Sequence, residues 1–265
     1  MKKNLFAVFA ALLVLAACSV SDRIAEGSAE AAVSAKTTGQ ADTPVQLTRA
    51  SSYDQYAEGL NQYDRHFEVR VQNLAYVKQV FVRILRAGGQ WTNISLSYAH
   101  AADSGYEIWS GDLESMYSDI YSNQFCVGYS VNGSTYWDNN AGSNYLLPNS
   151  GGTILGRGFN VGVESVCLSS TSLSVTLNVR NLAYNKTVKV IYTTNNWVSS
   201  VTVNANYQSL YMIGYAVVSS PDAAGFEYWS ASADPGRTNG IQFYVECDQN
   251  GVASYDNNWG ANYAE

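Results

Sequence analysis

From residue 44 onward the chain is a succession of short runs in which apolar and polar side chains alternate. "FEVRV", "VFVRI", "ISLSY" and "FCVGYSV" occupy its first half, and "SVTLNV", "VKVIY", "VTVNA" and "IQFYVEC" its second. Alternation with period two puts the β-branched and aromatic side chains on one face of a pleated strand. The i, i+3, i+4 spacing of an amphipathic helix is missing. Asn132-Gly133 and Asn250-Gly251 each fall between two such runs, where a type I′ hairpin turn needs two residues that tolerate positive φ. Many short strands separated by Gly, Asn and Ser turns predict an all-β protein of antiparallel β-sandwiches.

The pattern is written twice. Asn73-Leu74-Ala75-Tyr76 returns as Asn181-Leu182-Ala183-Tyr184, Trp91 as Trp197, Gly105-x-Glu107-x-Trp109 as Gly225-x-Glu227-x-Trp229, and "WDNNAGSNY" (137–145) as "YDNNWGANY" (255–263). The order of these landmarks is kept while their offsets run 108, 106, 120 and 118, so the loops differ in length, chiefly between Trp197 and Gly225. An internal duplication explains this. It predicts one module at 44–147 and a second at 161–265, with the Gly-rich stretch 148–160 as a linker. Residues 18–43, rich in Ala, Ser, Thr and Glu, have too few bulky apolar side chains to fold and read as a flexible tether.

Ahead of the tether, Lys2 and Lys3 precede an apolar run, Leu5 to Ala17, which predicts a secretory signal peptide at 1–17. The run falls short of the roughly 20 apolar residues that a spanning helix needs. Its end, Leu15-Ala16-Ala17-Cys18, resembles a bacterial lipobox, which would make Cys18 the lipid anchor. Ser19 in place of Asp resembles the pattern of lipoproteins sent to the outer membrane of a Gram-negative bacterium. Simple cleavage after Ala17 would instead give a soluble secreted protein.

The formal net charge is −7, and loss of Lys2 and Lys3 leaves 13 basic against 22 acidic residues. Such a chain repels phosphate backbones, so nucleic acid is not an expected partner. Beyond Cys18, three cysteines (Cys126, Cys167 and Cys247) allow one disulfide at most, with the pairing open. Only His66 and His100 represent histidine, both on surface strands, so neither a metal cluster nor a cofactor is expected. Asp138 and Asp256 each lack neighbours for a six-to-eight-oxygen calcium shell.

Chemistry rests instead on 20 Tyr and 6 Trp, whose flat apolar faces and polar edges serve either a core or a half-wet platform. Trp91 and Trp197 each follow a strand in a polar loop, where exposure is expected; Trp109 and Trp229 stand within strands, where core packing is expected. Tyr76 and Tyr184 fit a structural plug and an exposed ring equally well. Trp137 or Tyr255 closes a strand before Asp-Asn-Asn, which has two readings. One is Asx-turn chemistry, with side chains bonding backbone two residues on. The other is sugar binding, since a pyranose offers one C–H face to a ring and its hydroxyls to carboxylates and amides.

An enzyme is not expected. A glycosidase needs two carboxylates about 5–10 Å apart across a cleft, and Glu107, Glu227, Asp138 and Asp256 suggest no such pairing. No Gly-x-Ser-x-Gly elbow appears and no His is placed to serve a Ser or Cys nucleophile.

"VRNLAYNKTVKVIYTTNNW", the Gly-x-Glu-x-Trp strand and "YDNNWGANY" together resemble the family-21 carbohydrate-binding module, the starch- or glycogen-binding domain of fungal glucoamylases and glycogen-targeting phosphatase subunits. The resemblance covers both repeats. It implies an immunoglobulin-like β-sandwich, non-catalytic binding of α-1,4-glucan, and two binding surfaces per module. The first surface maps to Trp91, Trp137, Asp138, Asn139 and Asn140 in the first copy, with Cys126 in place of a middle ring, and to Trp197, Tyr244, Tyr255, Asp256, Asn257 and Asn258 in the second. The other surface maps to Tyr76, Tyr98 and Tyr106, and to Tyr184, Tyr207 and Phe226. The expected partners are therefore an α-glucan, the membrane through the N-terminal lipid, and a possible glucan-degrading enzyme. A surface adhesin, or a scaffold for a partner amylase, is the alternative from another class.

Overall fold

The computed structural model describes residues 43–57, 60–102, 105–115, 121–148, 151–213 and 216–264. The expected signal peptide, Cys18 and the tether up to residue 42 lie outside the described residues. The first half runs β1 (Val45–Ala57), β2 (Leu60–Gln72), β3 (Lys78–Arg86), β4 (Trp91–Ser95), β5 (Ser97–Ala101), β6 (Tyr106–Ser115), β7 (Tyr121–Val131), β8 (Ser134–Asp138) and β9 (Tyr145–Leu146). After β10 (Gly152–Leu155) come β11 (Val161–Leu168), β12 (Leu173–Arg180), β13 (Lys186–Thr193), β14 (Val201–Asn204), β15 (Asn206–Gln208), β16 (Leu210–Ile213) and β17 (Ala216–Ser219). β18 (Phe226–Ala233), β19 (Gln242–Gln249), β20 (Val252–Asp256) and β21 (Tyr263–Ala264) complete the chain.

Among the described residues every pairing is antiparallel, and the two halves share one sheet order. In the first half β1-β2-β6-β5 faces β4-β3-β7-β8, with β9 on β7; in the second, β11-β12-β18-β15 faces β14-β13-β19-β20, with β21 on β19. The inward side chains of each facing pair make one core: Leu47, Phe67, Val69, Val82, Phe125 and Val127 in the first half, and Val175, Leu177, Val190, Phe243 and Val245 in the second. The hairpin signals hold, since Asn132, Gly133, Asn250 and Gly251 all take positive φ. The 120-residue offset also has a cause. The hairpin β16–β17 is inserted between β15 and β18, where the first half passes directly from β5 to β6.

The stretch expected to be a linker is not loose. β10 is buried throughout and adds to the edge of the first sheet, with Arg49 opposite Leu155 and Ser52 opposite Gly152. Its neighbouring glycine marks close approach: a Cβ on Gly156 would stand 1.7 Å from the Leu47 carbonyl oxygen. Composition signalled flexibility because glycine serves both purposes, an open linker and a tight backbone contact.

The halves meet across a buried junction. Arg49 donates to the Val163 carbonyl at 2.7 Å and lies 3.6 and 3.9 Å from Glu68 and Glu164. Arg180 donates to the carbonyls of Leu155, Gly156 and Phe159. Phe159 and Phe226 join the core of the first half, and Trp259 packs edge-on against Phe159 with centroids 5.6 Å apart. Trp259 occupies the turn position that is Ala141 in the first copy, and both have positive φ. The second copy carries a ring there because it reaches the junction.

Cys126, Cys167 and Cys247 are unpaired, and burial pushes the Cys247 thiol up to about 12, which keeps it protonated and inert. In the turn before β18, Asp222 accepts from the Ala224 and Phe226 N–H groups through Oδ1, while its buried Oδ2 has no hydrogen-bond partner among the described residues. Desolvation raises its pKa above the ordinary 3.8, although the N–H groups of Phe226, Ala224 and Gly225 pull the other way. A carboxyl that holds its proton more tightly when folded stabilises below its unfolded value and loses that contribution as pH rises through the folded one. Asp222→Asn keeps the Oδ1 acceptor and removes the charge. Its melting temperature relative to the parent should therefore rise steadily from about pH 4 to 7, a trend that parallel thermal melts will read.

Candidate functional site

Two of the repeated motifs prove to be one device. The Asn73 N–H bonds the Gly105 carbonyl at 2.8 Å, and Asn181 bonds Gly225 at 3.0 Å, so the Asn-Leu-Ala-Tyr turn is tied to the start of the Gly-x-Glu-x-Trp strand. A buried lysine then joins the side chains. Lys78 donates to Asn73 at 2.6 Å and to Glu107 at 2.8 Å, and Glu107 also accepts the Trp109 indole N–H at 3.0 Å. Lys186, Asn181, Glu227 and Trp229 repeat the arrangement at 2.9, 2.8 and 2.9 Å. Trp109 and Trp229 are half-buried against their cores, close to expectation. The turn thereby held presents Tyr76 and Tyr184, which are 98% and 99% exposed. Of the two readings left open for these tyrosines, the exposed ring is the one the structure adopts.

Tyr98 and Tyr207 stand opposite Trp109 and Trp229 in register, each set edge-on to that indole at 6.2 and 5.8 Å, which makes them true counterparts. Tyr207 also donates its hydroxyl to the Ser220 carbonyl. Tyr106 is half-buried with the Arg70 guanidinium 3.2 Å above its ring, so only one face remains open. Phe226 corrects the sequence-based assignment. It is 2% exposed, with Arg180 4.7 Å from its ring, because the junction with the first half covers it. This face is therefore three-ringed in the first half and two-ringed in the second.

Of the two readings of the Asp-Asn-Asn motif, the Asx turn is the one the structure adopts, and the aspartates assigned to sugar binding need correction. Asp138 Oδ2 accepts from the Leu47 N–H at 2.8 Å and the Tyr145 hydroxyl at 2.9 Å, while Oδ1 accepts from the Asn140 N–H at 3.1 Å. Asp256 repeats this with Val163 at 2.8 Å, Tyr263 at 2.8 Å and Asn258 at 3.2 Å. Leu47 and Val163 each sit at a β-bulge, so the carboxylates satisfy N–H groups at an irregular point of the ladder. Desolvation raises the Asp256 pKa, and these donors draw it back. Asn140 and Asn258 close their turns on the Asn144 and Asn262 carbonyls, and Asn139 and Asn257 accept from Gly142 and Gly260. Asn257 is buried, whereas Asn139 stays exposed. The aspartates are structural, and Asn139 is the member of the motif that faces a cleft.

On the outer face of the second half, Trp197 and Tyr244 come together with ring centroids 5.6 Å apart and planes at 36°. Trp197 lies in a turn with φ of 64°, fixed by a bond from its N–H to Thr193 Oγ1 at 3.1 Å and from its indole to Gln242 at 2.6 Å. Gln242 was not apparent from the sequence, because nothing local marks a residue 45 positions away as the support of that indole. Tyr244 is 9% exposed, and Tyr255, half-buried on β20, pairs with Glu246 next to it in register.

The first half is built differently. Trp91 opens β4 opposite Leu85 rather than sitting in a loop, so it is not the positional twin of Trp197. It nonetheless lines a cleft of about 250 Å³ with Arg83, Cys126, Trp137, Asn139 and Asn144. Trp137 is 42% exposed, and Phe81 fills the space over Gly128 beneath it at 5.4 Å, edge-on. Among the described residues, no group of three or more His, Cys, Asp or Glu side chains could hold a metal ion.

The profile of the carbohydrate/starch-binding module (family 21) matches residues 66–148 and 157–264. The chain belongs to this family. Family 21 comprises non-catalytic modules, in keeping with a site made of rings and amides. The chain is 34% identical over 109 residues, 39% of its length, to Glucoamylase 1 of Rhizopus oryzae, and 33% identical over 84 residues, 30% of its length, to protein phosphatase 1 regulatory subunit 3C of Bos taurus. It spans only 16% and 26% of those relatives. Among solved structures, the starch-binding domain of Rhizopus oryzae glucoamylase in complex with β-cyclodextrin and maltoheptaose is 27% identical, covering 40% of this chain and 92% of that one, with a TM-score of 0.31. The carbohydrate-binding module of the muscle glycogen-targeting subunit of protein phosphatase 1 is 20% identical over 40% of this chain and 73% of that one, also with a TM-score of 0.31.

The buried lysine of this family-21 chain should be sensitive to mutation. The Lys186 side chain is 2% exposed in its pair with Glu227, whereas Lys189 is 31% exposed beside Glu246. Removing one partner of a buried pair leaves an uncompensated charge and costs about 3–5 kcal/mol; a half-exposed surface pair is worth under about 1 kcal/mol. Urea unfolding of Lys186→Met should therefore show a loss of about 3 kcal/mol, and Lys189→Met a loss several times smaller.

Proposed function

We propose that the protein binds α-1,4-glucan (starch, glycogen or malto-oligosaccharide) without catalysis, through two tandem modules at 44–147 and 161–265. The observation that carries this reading is the Trp197–Tyr244 pair, two rings held at 36° on the outer face of a sheet. Successive glucose units of an α-1,4-glucan turn relative to one another, so their C–H faces meet rings set at an angle better than coplanar ones. The protruding Tyr76 and Tyr184 offer further stacking surfaces. Membership of a starch-binding family supports the same ligand class.

In this reading Cys18 carries a lipid that holds the protein at the cell envelope, in the outer membrane of a Gram-negative bacterium. The bound glucan is then kept where a partner enzyme degrades it. Open surfaces bind weakly one at a time, and joining them raises avidity by roughly 10²–10⁴ when one chain spans both.

Affinity electrophoresis of the purified chain through gels containing glycogen, amylopectin, cellulose or no polysaccharide tests the proposal. Retardation by the two α-glucans alone is expected. Trp197→Ala should weaken it by about 5- to 30-fold, the effect of removing a central ring worth about 1–2 kcal/mol, while Phe226→Leu should leave it nearly unchanged. Equal mobility in all four gels would sink the reading.

A further inference from the structure

The cleft in the first half differs from its counterpart in charge as well as depth. Register fixes the comparison: Phe81 and Arg83 face Gly128 and Cys126 across β3 and β7, where Lys189 and Ile191 face Glu246 and Tyr244 across β13 and β19. The second half thus neutralises its cation, with Lys189 and Glu246 2.9 Å apart. In the first half that ion pair is replaced by Phe81 and a glycine, and a cation appears one pleat further along, at Arg83.

Among the described residues, no ion pair or hydrogen bond neutralises it. Its cross-strand partners are Cys126 and Asn93, both uncharged. Asp138, between Trp137 and Asn139 in sequence, is engaged by the Leu47 N–H, the Tyr145 hydroxyl and the Asn140 N–H. Among the described residues no carboxylate forms an ion pair with Arg83; its guanidinium lies 5.6 Å from the Trp137 ring centroid instead. A cation against an aromatic wall is pre-oriented and only partly hydrated, so an incoming anion gains more there than on open surface.

The space suits a single sugar unit. At about 250 Å³ it lies just below the roughly 300–1,000 Å³ of drug-sized sites, and the small Cys126 side chain at its floor provides the depth that Tyr244 fills in the second half. Trp91 and Trp137 supply the apolar walls and Asn139 and Asn144 the hydrogen-bonding rim. Guanidinium matches planar or tetrahedral oxyanions with two parallel N–H bonds, which neutral hydroxyls cannot return with charge. The net charge of −7 repels polyanions at long range, leaving this cleft to an isolated anionic group on an otherwise neutral chain.

We propose that the first-half cleft recognises an anionic substituent on a glucan, a phosphomonoester or a carboxylate borne by one glucose unit, with Arg83 as its counter-ion and Trp91 and Trp137 as its walls. This deepens the glucan-binding reading and rests on it.

Titration calorimetry of the full chain compares three probes: maltotriose, maltotriose carrying a 6-phosphate, and maltotriose with one unit oxidised at C6 to a uronate. At least one anionic probe should bind about tenfold more tightly than maltotriose, the scale of one charge-assisted contact. That advantage should shrink as salt rises from about 50 to 500 mM. Arg83→Gln should bring the anionic-to-neutral ratio to about one, and Arg83→Lys should restore part of it. The phosphate and uronate arms identify which anion is preferred. Equal affinity for all three probes overturns the proposal, as does a preference that survives Arg83→Gln. Failure of every probe to bind sinks the glucan reading itself, a different result from maltotriose binding without an anionic preference.

Discussion

A half-buried carboxylate that collects three donors ties the two sheets of each half together. Asp138 and Asp256 sit at the end of one sheet, in the closing turn, and accept the N–H of a bulged residue in the first strand of the other sheet. The same oxygen takes the hydroxyl of the tyrosine that follows the turn. A buried charge without such partners would be prohibitively expensive; with them, it fixes the distance between two sheets that hydrophobic packing alone would leave free to slide. The platforms on the outer faces depend on that fixed spacing, because Trp137 and Tyr255 stand immediately before the aspartates.

This division between frame and surface explains what could be foreseen. The all-β class, the hairpins and the repeat were legible because they rest on local signals: alternation, Asn-Gly turns and recurring landmarks. The position of Trp197 in a polar turn was legible for the same reason, although its indole is only half-exposed, covered in part by Tyr244 and Gln242. The Asx turn of Asp-Asn-Asn was one of its two readings, but the long-range half of its role was not legible. A carboxylate beside a ring looks the same in sequence whether it awaits a hydroxyl or already holds a backbone N–H from a strand 91 residues earlier. Phe226 was misread because its burial comes from residues of the other half, which no pattern around it could reveal. The linker was misread because composition cannot distinguish a glycine that bends freely from one pressed against a carbonyl.

The two halves have kept the frame and altered the surfaces. The lysine-centred support of the Asn-Leu-Ala-Tyr turn is the same in both, as is the aspartate clamp. Differences gather on the outer sheets. In the second half an ion pair lies two residues along the strand from a pair of tilted rings; in the first, a cation and two indoles line a hollow. One fold thereby offers a groove-like ledge on one side and a socket on the other, and the substitutions that make the difference, such as Tyr244 against Cys126, leave the core untouched.

The buried seam formed by β10, Arg49, Arg180, Phe159 and Trp259 has a consequence of its own. A pair of modules on a flexible string adapts to any arrangement of ligand, and its avidity falls off with the length of the string. Here the halves are welded, and the separation between their faces is a constant of the molecule, as in a fixed-jaw caliper. Such an instrument measures rather than searches: under the proposed glucan-binding reading it would favour polysaccharide whose strands recur at its own span, making the texture of a granule, and not only its chemistry, part of what it selects.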